Sequence, residues 1–84
     1  MPETLDRTAI DTFVIDALVD LGVEREAIVD DAALDELEID SLDLVELSQS
    51  IRKQLGIPVK PKDFDRLYTV GEVLDLCRRK AGLE

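Results

Sequence analysis

In the stretch Asp40-Ser41-Leu42-Asp43 a hydroxyl stands between two carboxylates where a helix begins. Three roles suit a serine in that setting: helix cap, nucleophile, or point of covalent attachment. A serine nucleophile needs a general base, and the 84 residues contain no histidine, so a Ser-His triad is excluded. Ser41 also lacks the Gly-x-Ser-x-Gly surroundings of a nucleophile elbow. One cysteine, Cys77, without histidine does not make a zinc site. The acidic run ahead of Ser41 fails as a calcium loop. Counted from Asp30, its third and fifth positions are Ala32 and Leu34; counted from Asp31, its third and sixth are Ala33 and Glu36. An enzyme acting alone is not expected, which leaves capping and attachment.

The elements around Ser41 read as helices. Ile10, Phe13, Val14, Ala17, Leu18 and Leu21 form one continuous apolar face, with Thr4 or Thr8 as N-cap and Gly22 as the stop. Residues 22–40 form a long connection, pinned by Ile28, Leu34, Leu37 and Ile39, with a short helical turn at 33–37. A second helix runs from Ser41 to Leu55 and is stopped by Gly56 and Pro58. "VKPKDFDRL" predicts a short third helix opened by Pro61 and holding Phe64 and Leu67. The last helix starts at Thr69, with Glu72 completing a capping box, and buries Val70, Val73, Leu74 and Cys77. The expected fold is all-α: a small four-helix bundle of three longer helices and one short one, forming a single domain over 1–84.

Hydrophobic residues make up 45% and aromatics 4%, so Leu, Ile and Val must build the core. No apolar run approaches a membrane span, and Met1-Pro2-Glu3 does not begin a signal peptide; the expected location is the cytoplasm. A lone cysteine fits a reducing compartment. The net charge is -10, and it is unevenly placed. Residues 1–46 hold fifteen acids against Arg7 and Arg25, whereas residues 47–84 hold eight bases against five acids. Nucleic acid is disfavoured, because phosphate contacts need a concentrated basic face. Basic protein partners are favoured.

On a wheel with Leu44 at zero, Leu47, Ser48, Ile51 and Leu55 fall within about 60°, which defines the core face of the second helix. Leu42 and Val45 then point away, at about 160° and 100°, flanked by Asp43 and Glu46. An outward apolar pair beside acids is what a gripping partner needs; the other reading is that the neighbouring loop or the third helix covers it.

With those residues in place, "LDELEIDSLDLVEL" resembles the acyl carrier proteins of fatty-acid and polyketide synthesis, whose mark is Asp-Ser-Leu at the start of the second of four helices. The likeness spans most of the chain: "LGV" closing the first helix, Leu34 and Leu37 on the approach, the Gly56/Pro58 break, and "TV" opening the last helix. The resemblance implies that Ser41 carries 4'-phosphopantetheine, moved from coenzyme A by a phosphopantetheinyl transferase, so the carrier needs no base of its own. It implies that Asp40 helps the transferase to engage and that Leu42, Asp43, Val45 and Glu46 form the docking face. The implied partners are acyltransferase, ketosynthase or ligase-type enzymes with basic docking patches, meeting a monomeric carrier. A gap beside Leu44, Leu47 and Ile51 is the expected shelter for an acyl chain.

Two departures are visible. Glu38 stands where the family usually has Gly, and the second helix turns basic at Arg52-Lys53. They point to polyketide or other specialised biosynthesis more than to general fatty-acid synthesis. The alternatives are an aminoacyl or aryl carrier of the peptidyl type, whose Gly-Gly-x-Ser or Asp-Ser-Met "IDSLD" does not match, and an unmodified acidic helical adaptor.

Overall fold

The spacing of Ile10, Val14 and Leu18 places them on one buried stripe of α1 (Arg7–Asp20), the first helix of the computed structural model, which describes residues 6–83. Asp6 rather than Thr8 is the N-cap, its carboxylate accepting from the Ala9 N–H at 2.8 Å. A carboxylate complements the helix dipole as well as capping it, which a threonine hydroxyl does not. Thr8 sits inside the first turn, and Thr4 lies outside the described residues. At the other end the N–H groups of Gly22 and Val23 donate to the carbonyls of Val19 and Leu18, closing the helix where expected.

The long connection is held by its own apolar anchors and by the start of the last helix. Leu34 and Ile39 are buried, and Ile28 and Leu37 are half-buried against them. A 3-10 turn at Arg25–Ala27 lies within it, too short to leave a periodic signal. At 33–37 the chain makes the expected turn, with the Leu37 N–H donating to the Ala33 carbonyl at 3.2 Å. Three longer-range bonds dock the connection. Leu34 N–H donates to the Tyr68 carbonyl at 2.8 Å, Val70 N–H to Ala32 at 3.0 Å and Gly71 N–H to Asp30 at 2.8 Å. An isolated antiparallel bridge pairs Ala33 with Thr69 within this contact.

α2 (Ser41–Leu55) has the predicted limits and ends at Gly56, whose φ of 71° is left-handed and suits a residue without Cβ. α3 (Val70–Lys80) carries the expected capping box. Thr69 accepts from the Glu72 N–H at 3.2 Å, and the Glu72 carboxylate accepts from the N–H groups of Tyr68 and Thr69 at 2.6 and 3.1 Å. Val70, Val73, Leu74 and Cys77 are its buried stripe.

The expected short helix is a 3-10 turn, Pro61–Phe64. Its bonds close over three residues: Asp63 N–H to the Lys60 carbonyl, Asp65 to Lys62, and Leu67 to Phe64. Pro61 supplies no N–H, and the few residues before Thr69 are too short a run to recover the cost of nucleating an α-helix. Phe64 is nonetheless fully buried and anchors the turn. The described residues are thus all-helical, with three α-helices, two 3-10 turns and no strand. α1 packs against both α2 and α3, and the Pro61–Phe64 turn packs against α2. Arg78 clamps α3 to α1, its Nη2 and Nε donating to the two carboxylate oxygens of Asp11 at 2.7 and 3.2 Å.

Candidate functional site

Ser41 is the first residue of α2, and its position follows from a reciprocal cap built by its neighbours. The Asp40 carboxylate accepts from the Asp43 N–H at 2.9 Å, and the Asp43 carboxylate accepts from the Asp40 N–H at 3.2 Å. Capping is therefore the work of Asp40 and Asp43, and it leaves the serine free of that task. The Ser41 side chain is exposed and enters no hydrogen bond among the described residues. An exposed hydroxyl at a helix N-terminus, in a chain without histidine and with its flanking carboxylates engaged in the cap, is placed to be modified by another enzyme rather than activated from within. A phosphodiester on this oxygen fits the place: it would lie in solvent, near the positive end of the helix dipole.

The approach to the site is strained at one residue. Glu38 has φ 61°, the left-handed region, two residues ahead of Asp40. This is the position where the family resemblance expects glycine, and the backbone still takes the glycine-like conformation. The turn at 33–37 explains it: Glu38 N–H donates to the Asp35 carbonyl at 3.0 Å, and the Ile39 N–H returns to Leu34 at 3.1 Å, burying Ile39.

The outward face of α2 divides in two. Leu42 is 71% exposed, as the wheel requires, and Glu46 is exposed one turn on. Val45, expected to point away, is half-buried instead, because the Pro61–Phe64 turn lies against this side of the helix. Val45 lines an open cavity of about 300 Å³ together with Ser41, Leu44, Pro61, Lys62 and Asp65. Asp43 is half-buried and its carboxylate is engaged in the cap, whereas Glu46 has no such duty. The gap expected beside Leu44, Leu47 and Ile51 is divided. Leu44 faces the cavity of Ser41, Leu47 borders a separate groove with Ala17, Leu21 and Glu46, and Ile51 is fully packed. Ser48, on the core face, is fully buried and satisfied by donating to the Val45 carbonyl at 2.8 Å.

Sequence reasoning did not place Pro61, Lys62 and Asp65 beside Ser41. The signal was available in the five residues between Leu55 and Pro61, since so short a connection must fold back on α2.

A family model described as a phosphopantetheine attachment site matches residues 14–77, which include the whole of α2 and most of α3. An acyl carrier protein of Thermotoga maritima is 35% identical over 63 residues, covering 74% of this chain and 78% of that protein. One of Syntrophobacter fumaroxidans is 31% identical over 80 residues, covering 92% of this chain and 99% of that protein. One of Saccharopolyspora erythraea is 39% identical over 57 residues, covering 67% and 60% respectively. The family match and these relatives agree on a small carrier domain. The chain belongs to the acyl carrier proteins, the family of carrier domains that bear a covalently attached 4'-phosphopantetheine. It is a carrier, not an enzyme: the attached arm would supply the thiol that holds an acyl group.

Proposed function

We propose that the arm is attached at Ser41 and that residues 1–84 form a single carrier domain, monomeric and cytoplasmic, for polyketide or other specialised acyl intermediates. The observation that carries the attachment is the division of labour at the head of α2, where Asp40 and Asp43 cap each other and the Ser41 hydroxyl is left exposed. Tethering replaces diffusional encounter with an effective concentration on the order of mM, which is the service a carrier provides to successive enzymes. Asp40 engages the transferase through the carboxylate oxygen that its cap does not use. Leu42 and Glu46 lead the docking face, with Asp43 and Val45 at its edges. Phosphopantetheinyl transferase, acyltransferase, ketosynthase or ligase-type partners therefore present Arg or Lys around a shallow apolar pocket. The charge reversal along α2, from Asp43 and Glu46 to Arg52 and Lys53, favours a specialised synthase over one selected for a uniformly acidic helix.

The test is intact mass and peptide mapping after incubation with coenzyme A and a promiscuous phosphopantetheinyl transferase. One adduct on the peptide containing Ser41 is expected. An adduct elsewhere, or none with an active transferase, sinks the assignment. Transfer of malonyl or longer acyl groups by ketosynthases of fatty-acid and polyketide type then separates the pathways.

A further inference from the structure

The cavity beside Ser41 has walls of different chemistry. Leu44, Val45 and Pro61 form an apolar side, while Lys62 and Asp65 bring one charge of each sign. Lys62 is exposed and has no ion-pair partner among the described residues; the lysine ion pair of this region is between Lys80 and Asp63, at 3.5 Å. Around Ser41 the other charges are acidic. Asp40 and Asp43 cap the helix, and Asp65 lines the same cavity. An anion fixed to the Ser41 oxygen is repelled by these three carboxylates and attracted by Lys62, whose flexible four-carbon stem lets its ammonium follow the anion.

Resting on the reading that Ser41 bears the arm, we infer that Lys62 pairs with the phosphodiester of the chain's own phosphopantetheine. The apolar wall of Leu44, Val45 and Pro61 receives the branched carbons that follow it. The carrier then has two arm states, one docked over the cavity and one extended. Lys62 is the positioning residue that sets the balance between them, and Asp65 opposes it. An exposed pair of this kind biases the populations about two- to five-fold, enough to hold the arm at rest and too little to trap it.

The experiment uses the full chain loaded with the unacylated arm and reads the ³¹P resonance of the phosphodiester, with the backbone amide shifts that loading induces at Leu44, Val45, Lys62 and Asp65. Lys62→Gln is expected to move the ³¹P resonance and reduce those amide changes about two- to five-fold, while Tm of the apo protein stays the same. Raising the salt concentration moves wild type toward Lys62→Gln, and Asp65→Asn moves it the opposite way. A loaded Lys62→Gln protein with the ³¹P and amide shifts of wild type overturns this inference and leaves attachment at Ser41 standing. Failure of Ser41 to load overturns both.

Discussion

Glu38 carries backbone strain beside the site. An L-residue in the left-handed region is disfavoured by roughly 1–2 kcal/mol, and glycine escapes this at the expense of unfolded-state entropy. Glu38→Gly is therefore expected to raise stability by up to about 1 kcal/mol, and Glu38→Val to lower it by about 1–2 kcal/mol, since branching at Cβ worsens the clash. Urea midpoints at unchanged m-value measure both; a destabilised Glu38→Gly protein contradicts the strain assigned here. Ser41→Ala removes a hydroxyl that bonds nothing and adds a better helix former, so its stability should stay within about 0.5 kcal/mol of wild type while loading is abolished. Cys77 is fully buried, and burial, with the nearby Asp11 charge, pushes its thiol up to about 12. Rapid labelling by a thiol reagent in the native protein would contradict that burial. Because the folded pKa lies above the unfolded one, the stability that Cys77 contributes is complete below the usual thiol range, near pH 9. It is lost as pH rises through about 12.

At the scale of elements, the joint between the long connection and α3 leaves no room for a side chain at Gly71. A Cβ added at Gly71 would stand 2.9 Å from the Asp30 carbonyl oxygen, a backbone atom that cannot swing away. Gly71→Ala must push the connection off the head of α3 and strain the bonds around the Ala33–Thr69 bridge. A loss of about 1–3 kcal/mol is expected, read as a lowered Tm, with faster amide exchange at Val70 and Gly71. Two carboxylates, one at this helix head and one in the Pro61–Phe64 turn, should respond to acid. Backbone donation from Tyr68 and Thr69 holds the Glu72 carboxyl below its ordinary value, and donation from Lys60 with the Lys80 charge does the same for Asp63. Both carboxyls are easier to protonate in the unfolded chain. Their contribution is complete above the usual carboxylate range and is lost as pH falls through the lowered native values. Glu72→Gln should therefore show a shallower decline of Tm between pH 5 and 3 than wild type, a window of about two units around the ordinary carboxylate pKa. An equal or steeper decline rules out the cap as the acid-sensitive part.

Across the whole molecule, charge and exposed apolar surface together define how partners approach. Asp43 is tied into the cap, so the sign of its charge cannot be changed without also disturbing the helix. Glu46 is exposed and free of such a duty, and it is the cleaner probe. Glu46→Lys should slow transferase loading of Ser41, mainly through encounter rate and KM, by an amount that shrinks as salt rises. Leu42→Ala should weaken docking at every ionic strength, because it removes apolar contact from an exposed side chain and leaves charge alone. Arg52→Glu, beyond the acidic zone, should affect loading less. Loading rates against ionic strength for the three variants decide it. If Glu46→Lys loads normally at low salt while Arg52→Glu fails, the docking face lies further along α2.

What the sequence alone determined is what short-range chemistry encodes. The limits of α2, the box at Thr69 and Glu72, and the exposure of Leu42 all depend on residues within four positions of one another. The place of Ser41 at a helix start followed from the same rules. The tertiary structure decided what covers each face. Val45 is outward on an isolated wheel, and only the return of Pro61 and Lys62 across α2 makes it a cavity wall. The left-handed Glu38 was hidden because glutamate gives no sign of φ; the burial of Ile39 imposes it. Asp6 caps α1 and Thr8 is taken into its first turn; a polar side chain at either position satisfies the same local rule, so the pattern alone did not choose between them.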